Sequence, residues 1–137
     1  MLFVFDTNSL ISAILKPQGL PKLALDVAQQ KGKLVFSEET KNELLQVVAR
    51  EKFEKYIAFD TRLGTALSIV EKSELGLISS SPKIECRDQN DLIFLKLAFS
   101  VNADCIVSGD IHLKELNPFH NIPILAPSKF LEWINKN

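Results

Sequence analysis

No stretch of this 137-residue chain stays apolar for anything near the roughly 20 residues that cross a bilayer, so a membrane-spanning helix is not expected. The N-terminus, MLFVFDTN, has no basic flank and no small-residue cleavage site, and it reaches an aspartate at position 6. No secretory signal is therefore expected, and the default location is the cytoplasm. Cysteine is scarce: Cys86 and Cys105 make no CxxC pair, which leaves two small, partly buried thiols in a reducing compartment rather than a zinc or redox motif. His112 and His120 form neither HExxH nor HxH. No GxGxxG follows the first apolar run, so the dinucleotide fingerprint is missing. No dense Lys/Arg run marks a basic tail, and the formal net charge is −1 from 16 basic and 17 acidic residues. That balance does not exclude a polyanionic ligand, because four acids gathered on a metal would leave 16 basic against 13 acidic residues. No linker, repeat or low-complexity segment is visible, and the length suits one domain over residues 1–137.

What is there is apolar and periodic: 46% of the residues are hydrophobic, enough for a sizeable core. Leu2-Phe3-Val4-Phe5 is a continuous apolar run, the pattern of a central parallel strand buried on both faces. Asn8 to Leu15 reads as a helix closed by Lys16-Pro17-Gln18-Gly19. A second helix opens near Pro21, carries Leu23, Ala24, Val27 and Ala28 as its stripe, and stops at Gly32. Leu34-Val35-Phe36 is the next strand. Ser37 is a natural N-cap for the helix bearing Leu44, Leu45, Val47 and Val48, with Glu38 and Glu39 in its first turn. A helix is expected from about Phe53 to about Ser73, and a short strand, broken by serines and a proline, within Gly76 to Ile84. A helix then spans Asp88 to about Ser100, followed by the buried strand Cys105-Ile106-Val107, an edge strand at Ile122–Leu125 and a closing helix from Pro127 to Asn135. The alternation predicts an α/β fold: a central, mostly parallel sheet of about five strands with helices on both faces. In such folds ligands collect outside the carboxyl ends of the strands.

The acids fall at that edge. Asp6 follows the first strand by one residue, and Asp110 follows the strand at 105–107 across Ser108-Gly109. Asp91 lies in the first turn of its helix, and Glu43 lies in the helix after the second strand. Four carboxylates from four segments can then share one pocket. Ionised acids packed together repel and raise one another's pKa unless a cation joins them. All-oxygen ligands select a hard ion, Mg²⁺ or Mn²⁺. One such ion can activate a water, and a second can stabilise the leaving oxygen of a phosphodiester. Each acid also has a plainer role: Asp6 as a cap of the helix near Asn8, Glu43 in a capping box with Thr40, Asp91 as a first-turn anion, and Asp110 as the cap of a short turn through Leu113. Thr7, Asn8 and Ser108 could orient the acids or do ordinary turn chemistry.

Val4-Phe5-Asp6-Thr7-Asn8, Glu43-Leu44-Leu45, the run from Asp88 to Ala98 and Ile106-Val107-Ser108-Gly109-Asp110 together resemble, in order and strand context, the PIN-domain nuclease family. The pattern is similar to the VapC group, toxins of type II toxin–antitoxin pairs. The resemblance covers nearly the whole chain. It implies an endoribonuclease using one or two Mg²⁺ or Mn²⁺ ions, a compact parallel-sheet fold, a homodimer, and a small antitoxin that covers the site. Carried over by position, Asp6, Glu43, Asp91 and Asp110 take the acidic ligand places. Asp88 is an accessory acid, and Thr7, Asn8 and Ser108 match the small polar places beside them. Glu38 and Glu39 stand in the same helix as Glu43, so a register shift toward Glu39 stays open. Two other classes compete. A non-catalytic module could keep the pocket and only bind RNA or protein. A haloacid-dehalogenase-like phosphatase would want a second aspartate where Asn8 stands.

Overall fold

Leu2–Phe5 (β1) has no polar side chain to offer water, and the fold gives it none to face: β1 sits in the middle of a five-stranded sheet, with Phe3, Val4 and Phe5 all buried. The structure, a computed structural model, describes residues 1–79 and 89–137. After β1 come α1 (Thr7–Leu15), α2 (Leu20–Lys31), β2 (Lys33–Phe36), α3 (Glu38–Val48) and a single 3₁₀ turn at Glu51–Phe53. They are followed by α4 (Phe59–Glu71), β3 (Glu74–Leu75), α5 (Gln89–Val101), β4 (Cys105–Val107), α6 (Ile111–Lys114), β5 (Ile124–Leu125) and α7 (Pro127–Ile134). The strand order is β3-β2-β1-β4-β5, and every pairing is parallel. The predicted α/β class, strand number and central first strand are thus observed.

Period-two alternation divides the core into two layers. Phe3, Phe5, Leu34, Phe36, Cys105 and Val107 point to one face, under α1, α2, α3, α4 and α7. Val4, Val35, Ile106 and Ile124 point to the other, against α5 and α6. Phe130 fastens α7 to the first layer, edge-to-face with Phe3 and Phe5 at centroid distances of 5.4 and 6.1 Å. Cys105 lies wholly inside this layer, and burial pushes its thiol up to about 12. Cys86 lies outside the described residues.

Three expectations need correction. The helix expected from Phe53 begins at Phe59. Buried Arg62 draws the preceding chain around itself, donating to the carbonyls of Val48, Arg50 and Ile57, while the Glu54 carboxylate accepts from both Arg62 and the Phe59 N–H. Those bonds favour a coil of turns over a continued helix. A strand, β3, lies at Glu74–Leu75; of the segment 76–84, where a short strand was expected, residues 76–79 carry no regular structure and the rest lies outside the described residues. Gly76 is needed where it stands, since a Cβ there would come within 2.7 Å of Val101 and 2.9 Å of Val35. The capping box in α3 is built by Ser37 and Thr40, not by Thr40 and Glu43: Thr40 N–H donates to Ser37 Oγ, and Ser37 N–H to Thr40 Oγ1. The last strand is shorter than expected, Ile124–Leu125, and it takes the edge position that Pro123 foretold.

Among the described residues, no helix is long and apolar enough to cross a membrane.

Candidate active site

The chain leaves β1 toward β2 and β3 on one side of the sheet and returns through β4 and β5 on the other. β1 and β4 therefore flank the switch point, where a crevice opens beyond the strand ends. Phe5 pairs with Val107, so Asp6 and Ser108 emerge side by side. The Asp6 N–H donates to the Val107 carbonyl at 3.1 Å, which fixes the aspartate to the end of β4.

Asp6 is both a cap and a member of the crevice. Its Oδ1 accepts the Ser9 N–H at 2.8 Å at the start of α1, and its Oδ2 accepts the Ser108 hydroxyl. A carboxylate oxygen has two lone pairs, so each oxygen keeps acceptor capacity beyond these bonds. Ser108 Oγ in turn accepts the Asp110 N–H at 3.0 Å, and Asp110 Oδ1 accepts the His112 N–H at 2.8 Å to cap α6. Ser108 thus links the two aspartates. Both capping readings from the sequence are observed, and neither removes the carboxylates from the crevice.

A pocket of about 190 Å³ lies here, lined by Asp6, Thr7, Asn8, Asp110, Glu43 and Asp91, together with Val47, Arg50, Asn90 and Phe94. Its walls come from four places: the end of β1, the loop after β4, one stripe of α3 and the first turns of α5. Glu43 and Val47 are four residues apart on one face of α3, and Arg50 lies just beyond the helix, where the backbone is extended before the 3₁₀ turn. Glu39 is exposed and does not line the pocket, so the geometry favours the Glu43 register. Asp91 is 8% exposed and Asp6 5%. Asp88 lies outside the described residues. Arg50 was not foreseen from the sequence: it lies past the end of α3, where helical spacing no longer places a side chain.

Burial pushes the Asp6 carboxyl above its ordinary range, and the Asp110 charge adds to the rise, while the bonds from Ser108 and Ser9 oppose it. The unfolded chain titrates at the ordinary value near 3.8, so between that pH and the raised folded value the native state holds the extra proton. The stability this group contributes is complete below that window and is lost as pH rises through it. We expect melting temperatures in EDTA to fall with rising pH across this window, and the fall to be smaller in Asp6→Asn; identical pH profiles for the two proteins would contradict the shift.

Three features suit this pocket to a hard divalent cation. The donors are all oxygen, the two aspartates at the strand ends feel each other's charge, and the buried Thr7 Oγ1 in the lining has no hydrogen-bond partner. Among the described residues, no three Asp, Glu, His or Cys side chains are gathered closely enough to enclose an ion.

A family model of the PIN domain matches residues 3–112. An uncharacterized protein of Methanocaldococcus jannaschii is 27% identical over 149 residues, an alignment covering 97% of this chain and 91% of the relative. Among solved structures, VapBC2 from Rickettsia felis, bound to a DNA fragment from its promoter, superposes with a TM-score of 0.63 at 21% identity, over 90% of this chain and 97% of the other. VapBC-1 from nontypeable Haemophilus influenzae gives 0.59 at 17% identity, over 93% and 99%. The parallel sheet, the acids at its carboxyl edge and the match across most of the chain lead to one assignment: this protein belongs to the PIN-domain family.

Proposed function

We propose that this protein is an endoribonuclease that depends on Mg²⁺ or Mn²⁺ and acts as the toxin of a toxin–antitoxin pair. The observation that carries the reading is the pocket at the β1/β4 switch point, where Asp6 and Asp110 are joined through Ser108 and share one lining with Glu43 and Asp91. Asp6 and Asp110 would hold the principal ion. Glu43 and Asp91 would reach it through its waters or hold a second ion. When bound, the cation lowers the pKa of a water and offsets the negative charge of a phosphodiester.

The chain's own groups do the rest. Ser108 keeps Asp6 and Asp110 in fixed relation, and Thr7 offers a buried hydroxyl to a water or phosphate oxygen. Arg50, the cation in the described lining, would meet a non-bridging phosphate oxygen and orient the group. Glu43, half-buried on α3, would accept a proton from the attacking water. A volume of about 190 Å³ suits a phosphate and its ions better than a whole nucleotide, whose base must lie outside. The fold shared with VapBC structures supports extending the proposal to a small antitoxin partner; a homodimer, and an antitoxin that covers the pocket, are what the family resemblance implies.

Incubation with mixed RNA tests the reading. Cleavage is expected with Mg²⁺ or Mn²⁺, none in EDTA, and recovery when Mn²⁺ is added in excess. Cleavage unchanged in EDTA contradicts metal dependence. Tight RNA binding without turnover under any metal would make the protein a binding module instead.

A further inference from the structure

Beside the carboxylate pocket runs a second groove of about 370 Å³, and Asn8 lines both. One wall is the α1 face that ends in Lys16. The other is the 3₁₀ turn with Lys52 and Phe53, followed by Tyr56. No lining residue of this groove is acidic, although the chain as a whole carries slightly more acids than bases.

We propose that this groove holds the single-stranded RNA segment flanking the scissile phosphate, with Lys16 and Lys52 against its backbone and Tyr56 and Phe53 under its bases. This rests on the ribonuclease reading and adds the track by which substrate enters. Three observations carry it. Continuity comes first: Asn8 joins the groove to the pocket, so a chain whose phosphate sits among the carboxylates can continue directly into it. The chemistry of the walls follows the pattern of sequence-tolerant single-strand sites, where cations track the backbone and aromatic faces stack bases. Tyr56 is 62% exposed, with the Lys55 ammonium 5.1 Å from its ring centroid, and Lys52 lies 5.2 Å from the Phe53 centroid, so charge and ring stand together at both positions. Finally, the wall is rigid. Arg62 donates to the carbonyls of Arg50 and Ile57, which bracket the segment, and its side chain is fully buried. A structural role for Tyr56 would require burial that it lacks.

The test uses the full chain and two substrates. A fluorescein-labelled uridine 12-mer is titrated in EDTA at several salt concentrations, and bis(p-nitrophenyl) phosphate is hydrolysed with Mn²⁺. The small diester reaches only the carboxylate pocket. In Lys16→Ala/Lys52→Ala the 12-mer should bind with a salt slope reduced by about 1.4, two phosphate contacts at about 0.7 each. In Tyr56→Ala it should bind about tenfold more weakly. Both variants should hydrolyse the small diester, and melt, as the parent does. Variants that bind the 12-mer like the parent would overturn the groove and leave the nuclease reading standing, as would a parent that hydrolyses the diester but binds no 12-mer. Groove-dependent binding in a parent that does not hydrolyse the diester would do the reverse.

Discussion

Replacing Asp6 with asparagine is expected to lower RNA cleavage about a thousandfold while leaving the melting temperature at or above that of the parent. Residues that merely orient a metal ligand cost about 10- to 100-fold in affinity or activity, and Asp6 stands closer to the chemistry than that. The fold has little reason to suffer. Asparagine caps a helix about as well as aspartate, and its Oδ1 can still accept the Ser9 N–H at the start of α1. Ser108 can turn its hydroxyl to accept from the new amide. The neutral side chain also removes the burial penalty that raises the Asp6 pKa. Single-turnover cleavage and a thermal melt, run on the same preparation, separate the two effects. Retained cleavage would remove Asp6 from the mechanism. Lost cleavage with a large drop in melting temperature would mean that Asp6 serves the fold instead.

The largest effect on stability is expected at a residue that does not line the pocket. Arg62 is 1% exposed and donates to three backbone carbonyls, those of Val48, Arg50 and Ile57. Its ion pair with Glu54 contributes little, because Glu54 is 57% exposed. Removing the guanidinium takes a donor from the Val48 and Ile57 carbonyls, while the Arg50 carbonyl keeps the Phe53 N–H, and Arg62→Ala adds a cavity. A loss of about 3–5 kcal/mol follows, or roughly 10–20 °C in melting temperature for a chain of this length. Arg62→Met, which keeps most of the volume, should recover only a minor part, since the cost lies in the unsatisfied carbonyls. Denaturant melts of both variants measure this. A loss below about 1 kcal/mol in Arg62→Ala would contradict the role given to it. Because Arg62 also braces the turn carrying Lys52 and Phe53, a mild variant should impair cleavage of long RNA more than hydrolysis of a small diester.

The contrast between Asp6 and Arg62 shows which features the sequence made legible. Asp6 and Asp110 could be placed because each follows a short apolar run with no polar interruption, and a parallel strand has one carboxyl end. Once Phe5 and Val107 are adjacent, their followers must be neighbours as well. Asp91 and Glu43 required only the start of a helix and its period. Arg62 could not be found this way. Its partners are main-chain carbonyls, which every residue has, so no side-chain pattern announced that the helix expected at Phe53 would wait until Phe59. The lysine–aromatic groove was hidden for a related reason: Lys16 and Lys52 are far apart in sequence, and only the turns around Arg62 bring the second beside the first. The Glu43 capping box failed because two overlapping caps were possible, and the one starting at Ser37 satisfied the helix first.

The account stands or falls on the carboxylates at the β1/β4 edge sharing a cation. Crystals of the protein soaked in Mn²⁺ would give an anomalous difference peak at the ion itself, independent of any assay. The expected result is a peak in contact with both Asp6 and Asp110, inside the pocket lined by Glu43 and Asp91, and absent from crystals of Asp6→Asn. A pocket without any peak at saturating Mn²⁺, or a peak bound elsewhere and unaffected by the substitution, would contradict it.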